Sequence, residues 1–279
     1  MTGRLTRAVL FLAVAALPVC LVVVPIVSIL VMSVRRLVDN RISGDFSLVN
    51  YATFLTDPVY LQVLLVTLAI CLGVTVTGIV LGYPIAYFIW RRRRAKYVFL
   101  LLFVLPLFMS YIVKIYTMRS ILGLNGFLNQ ILVATGILEK PSLLFLYNKL
   151  SILLTMAVIF LPFAILPIFL SLEKIPGNLA QASADLGASP GATFRHVIFP
   201  LSAPGTVAGG LFVFVLALGD FITPQMVGGP SGFTFGRIIW SQFGLAYNWP
   251  LGAALAGVLL ALSLVVIVAA GMIARQQRI

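Results

Sequence analysis

Six stretches of this chain are almost unbroken in apolar side chains: 8–34, 63–90, 97–116, 143–170, 197–226 and 251–274. A bilayer core about 30 Å thick takes about 20 apolar residues as a helix, so each stretch is long enough to cross. None alternates polar with apolar positions as the strands of a membrane barrel do. Within lipid, only helices and closed barrels satisfy every backbone N–H and C=O. The pattern therefore predicts an all-α membrane protein of six transmembrane helices, forming one domain over 1–279. Arg4 and Arg7 precede the first stretch, as in a signal peptide, but the stretch far exceeds the usual apolar length of about 7–15 residues. It is expected to remain as the first span.

Composition narrows the function. Of 279 residues, 61% are hydrophobic and 9% are charged; soluble chains average about 45–50% apolar and roughly 25% charged. So few charges exclude a soluble enzyme, and so much apolar surface excludes disorder. The net charge of +12 would suggest nucleic acid in a soluble protein. Here the basic residues flank apolar runs, as they do at membrane boundaries. Cys20 and Cys71 lie inside such runs and read as small buried hydrophobes. His196 is the single histidine, so no zinc or haem ligand set presents itself.

Lysine and arginine bias sets the orientation. A cytoplasmic N-terminus places Arg4, Arg7, the block 91–96, Lys174, Arg195, Arg275 and Arg278 inside. It leaves Arg35, Arg36, Arg41, Lys114, Arg119, Lys140, Lys149 and Arg237 outside. The dense 91–96 block abuts two spans and decides the matter, with both termini in the cytoplasm. The outer segments 35–62, 117–142 and 227–250 are then long. The second is expected to lay a helix at the interface over 121–137. In the third, Trp240, Tyr247 and Trp249 suit either a headgroup-level belt or a contact with a partner or solute.

Several spans contain residues that disturb a helix. Pro84, Pro106, Pro162, Pro167 and Pro224 each lack an N–H for the carbonyl four residues earlier. Gly78-x-x-x-Gly82 and Gly205-x-x-x-Gly209 permit close helix packing. Asp220 is the carboxylate well inside a span, where a charge costs about 2.5–3.5 kcal/mol on insertion scales. It is expected to face a wet path, with its own carbonyl freed by Pro224 and Phe221 as an aromatic wall for a cation or amine. A structural pair with a basic residue of a neighbouring helix, or a position near the outer interface, is the alternative.

The segment 171–196 is far more polar than its surroundings. Asn178 to Ala188 is rich in small residues and predicts a short helix, with Gly187 as its C-terminal stop. Pro190 opens a second short segment. Gln181-Ala182-Ser183-x-x-x-Gly187, followed after nine residues by Val197-x-Phe199-Pro200, resembles the EAA loop of ABC importer permeases. The family pattern is Glu-Ala-Ala, three residues, Gly, nine residues, then Ile-x-Leu-Pro. The likeness runs from about Asn50 onward. Leu81-Gly82-Tyr83-Pro84-Ile85-Ala86-Tyr87, Leu161-Pro162-Phe163, Asp185-Leu186-Gly187-Ala188-Ser189 and Asn248-Trp249-Pro250 are similar to the spermidine/putrescine permease subfamily.

This resemblance implies a type I ABC importer permease of the bacterial inner membrane. Its implied partners are a second permease subunit, two cytoplasmic ATPases that bind ATP and magnesium, and a periplasmic solute-binding protein. The permease itself would hold no cofactor and have no catalytic residues, in keeping with the lack of a Gly-x-x-x-x-Gly-Lys-[Ser/Thr] phosphate loop in these residues. It assigns ATPase coupling to Gln181, Ala182, Ser183, Asp185, Leu186, Gly187 and Ala188. The subfamily's aromatic motif at the third span corresponds to Phe108, Lys114 and Tyr116, which joins Phe108 and Tyr116 to Asp220 and Phe221 as substrate-path residues. The implied solute is a polyamine, or alternatively an opine, amino acid or other small organic solute. A stand-alone secondary transporter or channel would leave the polar insert without a purpose.

Overall fold

The computed structural model describes residues 2–92 and 94–276. In chain order the helices are α1 (Thr2–Ser33), α2 (Val49–Thr56), α3 (Pro58–Arg91), α4 (Lys96–Val104), α5 (Tyr111–Leu122), α6 (Phe127–Ala134) and α7 (Lys149–Glu173). They continue with α8 (Gly177–Asp185), α9 (Pro190–Thr193), α10 (Phe199–Gly219), α11 (Ile222–Val227), α12 (Phe235–Gly244) and α13 (Trp249–Gln276). Between α1 and α2 lie two short strands, β1 (Arg35–Val38) and β2 (Arg41–Phe46).

Among the described residues, four helices are long and apolar enough to cross a membrane: Pro58–Arg91, Lys149–Glu173, Pro190–Gly219 and Trp249–Met272. Lys96–Phe108 and Tyr111–Ala134 form a pair bent by 100°, which makes a fifth if it counts as one crossing. Pro18–Ser33 is a shorter apolar helix. Leu65, Leu72, Val76 and Val80 stay exposed along one side of α3. Such a stripe is untenable in water and suits lipid.

The chain divides into two compact units. The first comprises Met1–Leu61 and Ile238–Ala261. Here β1 and β2 pair antiparallel, with Val38 opposite Arg41. Asp39 and Asn40 both take positive φ, at 46° and 61°, the conformation that a tight two-residue hairpin turn demands. Asn50 is buried and donates to the carbonyls of Ser33 and Arg35, each at 2.8 Å, while Tyr51 meets the Ser33 hydroxyl at 2.8 Å. The bond to Ser33 answers a carbonyl left open where α1 ends, and the bond to Arg35 ties α2 to the start of β1. The segment 35–62 is thus a hairpin and a helix, and the protein is not purely α-helical.

The second unit comprises Gln62–Arg237 and Leu262–Ile279. Its centre is the pair α7 and α10, brought together by glycine. A Cβ on Gly205 would fall 2.3 Å from the Ser171 Cβ and 2.4 Å from the Pro167 carbonyl oxygen. One on Gly209 would fall 2.9 Å from the Ala164 carbonyl oxygen. On α3, Gly78 leaves 3.5 Å to Val213 and Gly82 leaves 3.1 Å to Ala164. Tyr83, Ala86, Ile89, Ile165, Ile168, Phe169 and Leu172 bury against one another at one end of this unit. At that end Lys96 and Glu173 form an ion pair, and the Tyr97 hydroxyl donates to Glu173 at 3.0 Å.

Two expected spans are interrupted. The stretch 97–116 breaks at Met109 and Ser110, both extended in ψ, after a 3₁₀ turn over Leu105–Phe108 that contains Pro106. The stretch 197–226 breaks at Asp220, which is extended with ψ of 118°. The interfacial helix expected over 121–137 is confined to α6, because Gly123 leaves α5 in an extended conformation.

Candidate coupling and transport sites

The polar segment folds largely as its local chemistry dictates. After α8 the chain turns at Gly187, where φ is +81°. The Gly187 N–H reaches the Ala184 carbonyl at 2.9 Å and the Ala188 N–H reaches the Ser183 carbonyl at 3.1 Å. This pair of bonds defines a Schellman stop and answers the carbonyls at the helix end. The left-handed φ is strained for any residue with a Cβ, so glycine is required there although open space surrounds it.

Nearly all of α8 is exposed. Gln181, Ala182 and Asp185 face solvent, and Leu186 is 88% exposed. Ser183 is half-buried, and its hydroxyl meets that of buried Thr193 on α9 at 2.9 Å. Ser183 packs inward, whereas Leu179, Ala182 and Leu186 are exposed. Between α8 and the end of α3 lies a cleft of about 890 Å³, lined in part by Tyr87, Trp90, Arg91, Asn178 and Gln181.

From α9 the chain enters α10 through a π-helical turn, Phe194–Ile198. Phe194 stands edge-on to Tyr83 and Tyr87, with ring centroids 5.9 and 5.4 Å apart. Phe199 packs on Tyr83 at 5.6 Å. The buried Tyr83 hydroxyl meets the Ser202 hydroxyl at 2.7 Å. Sequence reading passed over this cluster, because aromatic residues in apolar runs look like ordinary core.

The second site gathers around Asp220 at the break between α10 and α11. Its Oδ1 accepts the N–H groups of Ile222 and Thr223 at 3.0 and 3.1 Å. Its Oδ2 accepts from the Tyr111 hydroxyl at 2.5 Å. The Tyr111 oxygen lies 2.8 Å from the Thr223 hydroxyl. Since Tyr111 gives its one proton to Asp220, Thr223 must donate to Tyr111. A carboxylate offers about four acceptor positions, and these bonds occupy three. The only ion pair among the described residues is Lys96–Glu173, so Asp220 is held by dipoles rather than by a basic partner.

This arrangement corrects two expectations. Asp220 lies at a helix break, not within a continuous span. Pro224 falls in the first turn of α11, where its missing N–H has no intrahelical partner to lose, so it does not release the Asp220 carbonyl. The phenol that reaches Asp220 belongs to Tyr111, the first residue of α5. Phe108 is 84% exposed at the end of its 3₁₀ turn, and Tyr116 is 55% exposed. Tyr116 lines a separate cavity with Arg119 and Tyr147. Phe221 is half-buried beside Asp220. Among the described residues, no group of three or more His, Cys, Asp or Glu could hold a metal ion.

Long apolar helices, together with an exposed and capped polar helix, suit a membrane transport protein. Residues 75–279 match the family described as the inner membrane component of binding-protein-dependent transport systems. The chain belongs to that family and is an inner-membrane protein. It is 36% identical, over 210 residues, to the spermidine/putrescine transport system permease protein PotB of Salmonella typhimurium, covering 75% of this chain and 72% of that one. It is 38% identical over 226 residues to the inner membrane ABC transporter permease protein YdcU of Escherichia coli, covering 76% and 71%. In fold it resembles a chain of a bacterial alginate ABC transporter, solved in complex with an alginate pentasaccharide-bound periplasmic protein. The TM-score is 0.76 at 14% identity, over 99% of this chain and 97% of that one.

Proposed function

We propose that this chain is a permease subunit of an ATP-driven importer for a small, polar, amine-bearing solute of the polyamine class. It crosses the membrane six times as one permease, with both termini cytoplasmic. Pro18–Ser33 and the bent pair supply the two crossings beyond the four long helices. The segment 171–196 is the docking element for a partner ATPase, which binds ATP and magnesium. A second permease subunit, a second ATPase and a periplasmic binding protein complete the assembly.

The observation that carries this reading is α8 itself. A short, largely exposed helix, fixed at its end by a Schellman stop that holds the apolar Leu186 88% exposed, suits insertion into a partner's cleft. The amine preference rests on relatives named for polyamines and on one free acceptor position at Asp220. Co-expression with the cognate ATPase tests the docking. Leu186→Glu is expected to lower the co-purified ATPase about tenfold, the scale of losing one buried interface anchor. Full recovery of ATPase and stimulated hydrolysis with Leu186→Glu and Ala182→Glu together would refute the assignment.

A further inference from the structure

We propose that Phe194, gripped edge-on by Tyr83 and Tyr87, is the positioning residue that passes motion of α8 to the span α3. The inference rests on the docking role proposed for α8. The contacts form an unbroken line: the Ser183 hydroxyl meets Thr193 at 2.9 Å, and Thr193 directly precedes Phe194. The Phe194 ring then meets two rings of α3, 5.9 and 5.4 Å away. The Tyr83 hydroxyl is pinned to Ser202 on α10 at 2.7 Å, so the grip cannot slide along α3 without breaking a buried bond.

The backbone at this point supports the same assignment. Phe194–Ile198 is a π turn between two α-helices, and such turns are soft points in a helix, frequent at functional sites. Thrust arriving from α8 would be absorbed by bending there unless side chains carry it across. The T-shaped arrangement, with interplanar angles of 85° and 78°, is a favoured geometry of aromatic pairs, so pulling the rings apart is unfavourable. Ser183 has a second function in this account: it couples the docking helix to the grip, whereas its neighbours Ala182 and Leu186 face the partner.

The test uses the complete transporter, with spin labels at Asn178→Cys on α8 and Val76→Cys on α3, and with Cys20→Ser and Cys71→Ala. In the native background the label separation stays narrow with and without ATP, because α8 and α3 move as one body. With Phe194→Leu the distribution broadens about twofold on ATP binding, while ATPase still co-purifies; Phe194→Tyr restores the narrow distribution. Tyr87→Leu, at the half-buried margin of the cluster, gives the same broadening if Phe194→Leu does not accumulate. A narrow distribution in both leucine variants overturns the joint. If Leu186→Glu removes the ATPase but the leucine variants behave as native, the joint alone fails. If Leu186→Glu and Ala182→Glu together leave ATPase fully bound, the docking role falls and the joint falls with it.

Discussion

Gly205→Ala is expected to unseat α10 from α7 and to deplete the folded protein. Alanine favours a helix over glycine by about 1 kcal/mol, so an uncrowded site would gain. At Gly205 the new methyl group would meet the Ser171 Cβ at 2.3 Å and the Pro167 carbonyl oxygen at 2.4 Å. Carbon atoms in comfortable contact lie about 3.5–4.0 Å apart. The Pro167 oxygen belongs to the backbone of a packed helix and has no rotamer by which to withdraw. Overpacking of this kind costs about 1–3 kcal/mol or more, so the clash outweighs the propensity. With both contacts this short the clash falls at the upper end of that range, and the net loss approaches about 2 kcal/mol. Gly78→Ala is the control, because its nearest neighbour at 3.5 Å is in ordinary contact; it should be neutral or slightly stabilising. Thermal unfolding in detergent and the level of membrane-integrated protein read both. Equal behaviour of the two variants would contradict the packing account.

Asp220→Asn is expected to abolish most transport while sparing the fold. Asparagine keeps an oxygen for the Ile222 and Thr223 amides, and its NH₂ can donate to Tyr111 in place of the bond it loses. The helix break is therefore retained and only the charge disappears. A hydrogen bond to a charged group is worth about 1.5–3 kcal/mol, which corresponds to roughly a ten- to hundredfold fall in handling an ammonium group. Uptake of labelled putrescine by cells carrying the whole system is the measurement. Tyr111→Phe should show the opposite balance, since it leaves Oδ2 without its donor and joins no charge to the path. It is expected to lower the unfolding midpoint more than Asn at position 220 does. Normal putrescine uptake with Asp220→Asn at native protein levels would remove Asp220 from the solute path.

What the sequence made legible follows from the range of each interaction. The helix from Asn178 and its end at Gly187 were readable because capping is settled within a few residues. The close approach at Gly205 and Gly209 was readable as a small-residue motif. Which glycine pair is tight was not, because that depends on Pro167 and Ala164 across the interface. The breaks at Ser110 and Asp220 lie inside runs whose mean hydropathy stays high. Hydropathy records transfer free energy and is blind to a change in ψ. Tyr111 escaped notice for the same reason: it sits one residue past a break that no polar residue announces except Ser110. The hairpin before α2 did carry a signal, the Asp39-Asn40 pair, which tolerates positive φ better than most residues. The family likeness directed attention to Phe108 and Tyr116; the bond from Tyr111 to Asp220 is a long-range contact that no local motif records.

These threads depend on α8 standing at the cytoplasmic face, where a nucleotide-hydrolysing partner can seize it. The most direct measurement is labelling of Leu186→Cys, in a chain carrying Cys20→Ser and Cys71→Ala, with a membrane-impermeant maleimide. Inverted vesicles should label and right-side-out vesicles should not, and co-expressed ATPase should protect the site. Labelling from the outer side would contradict the account.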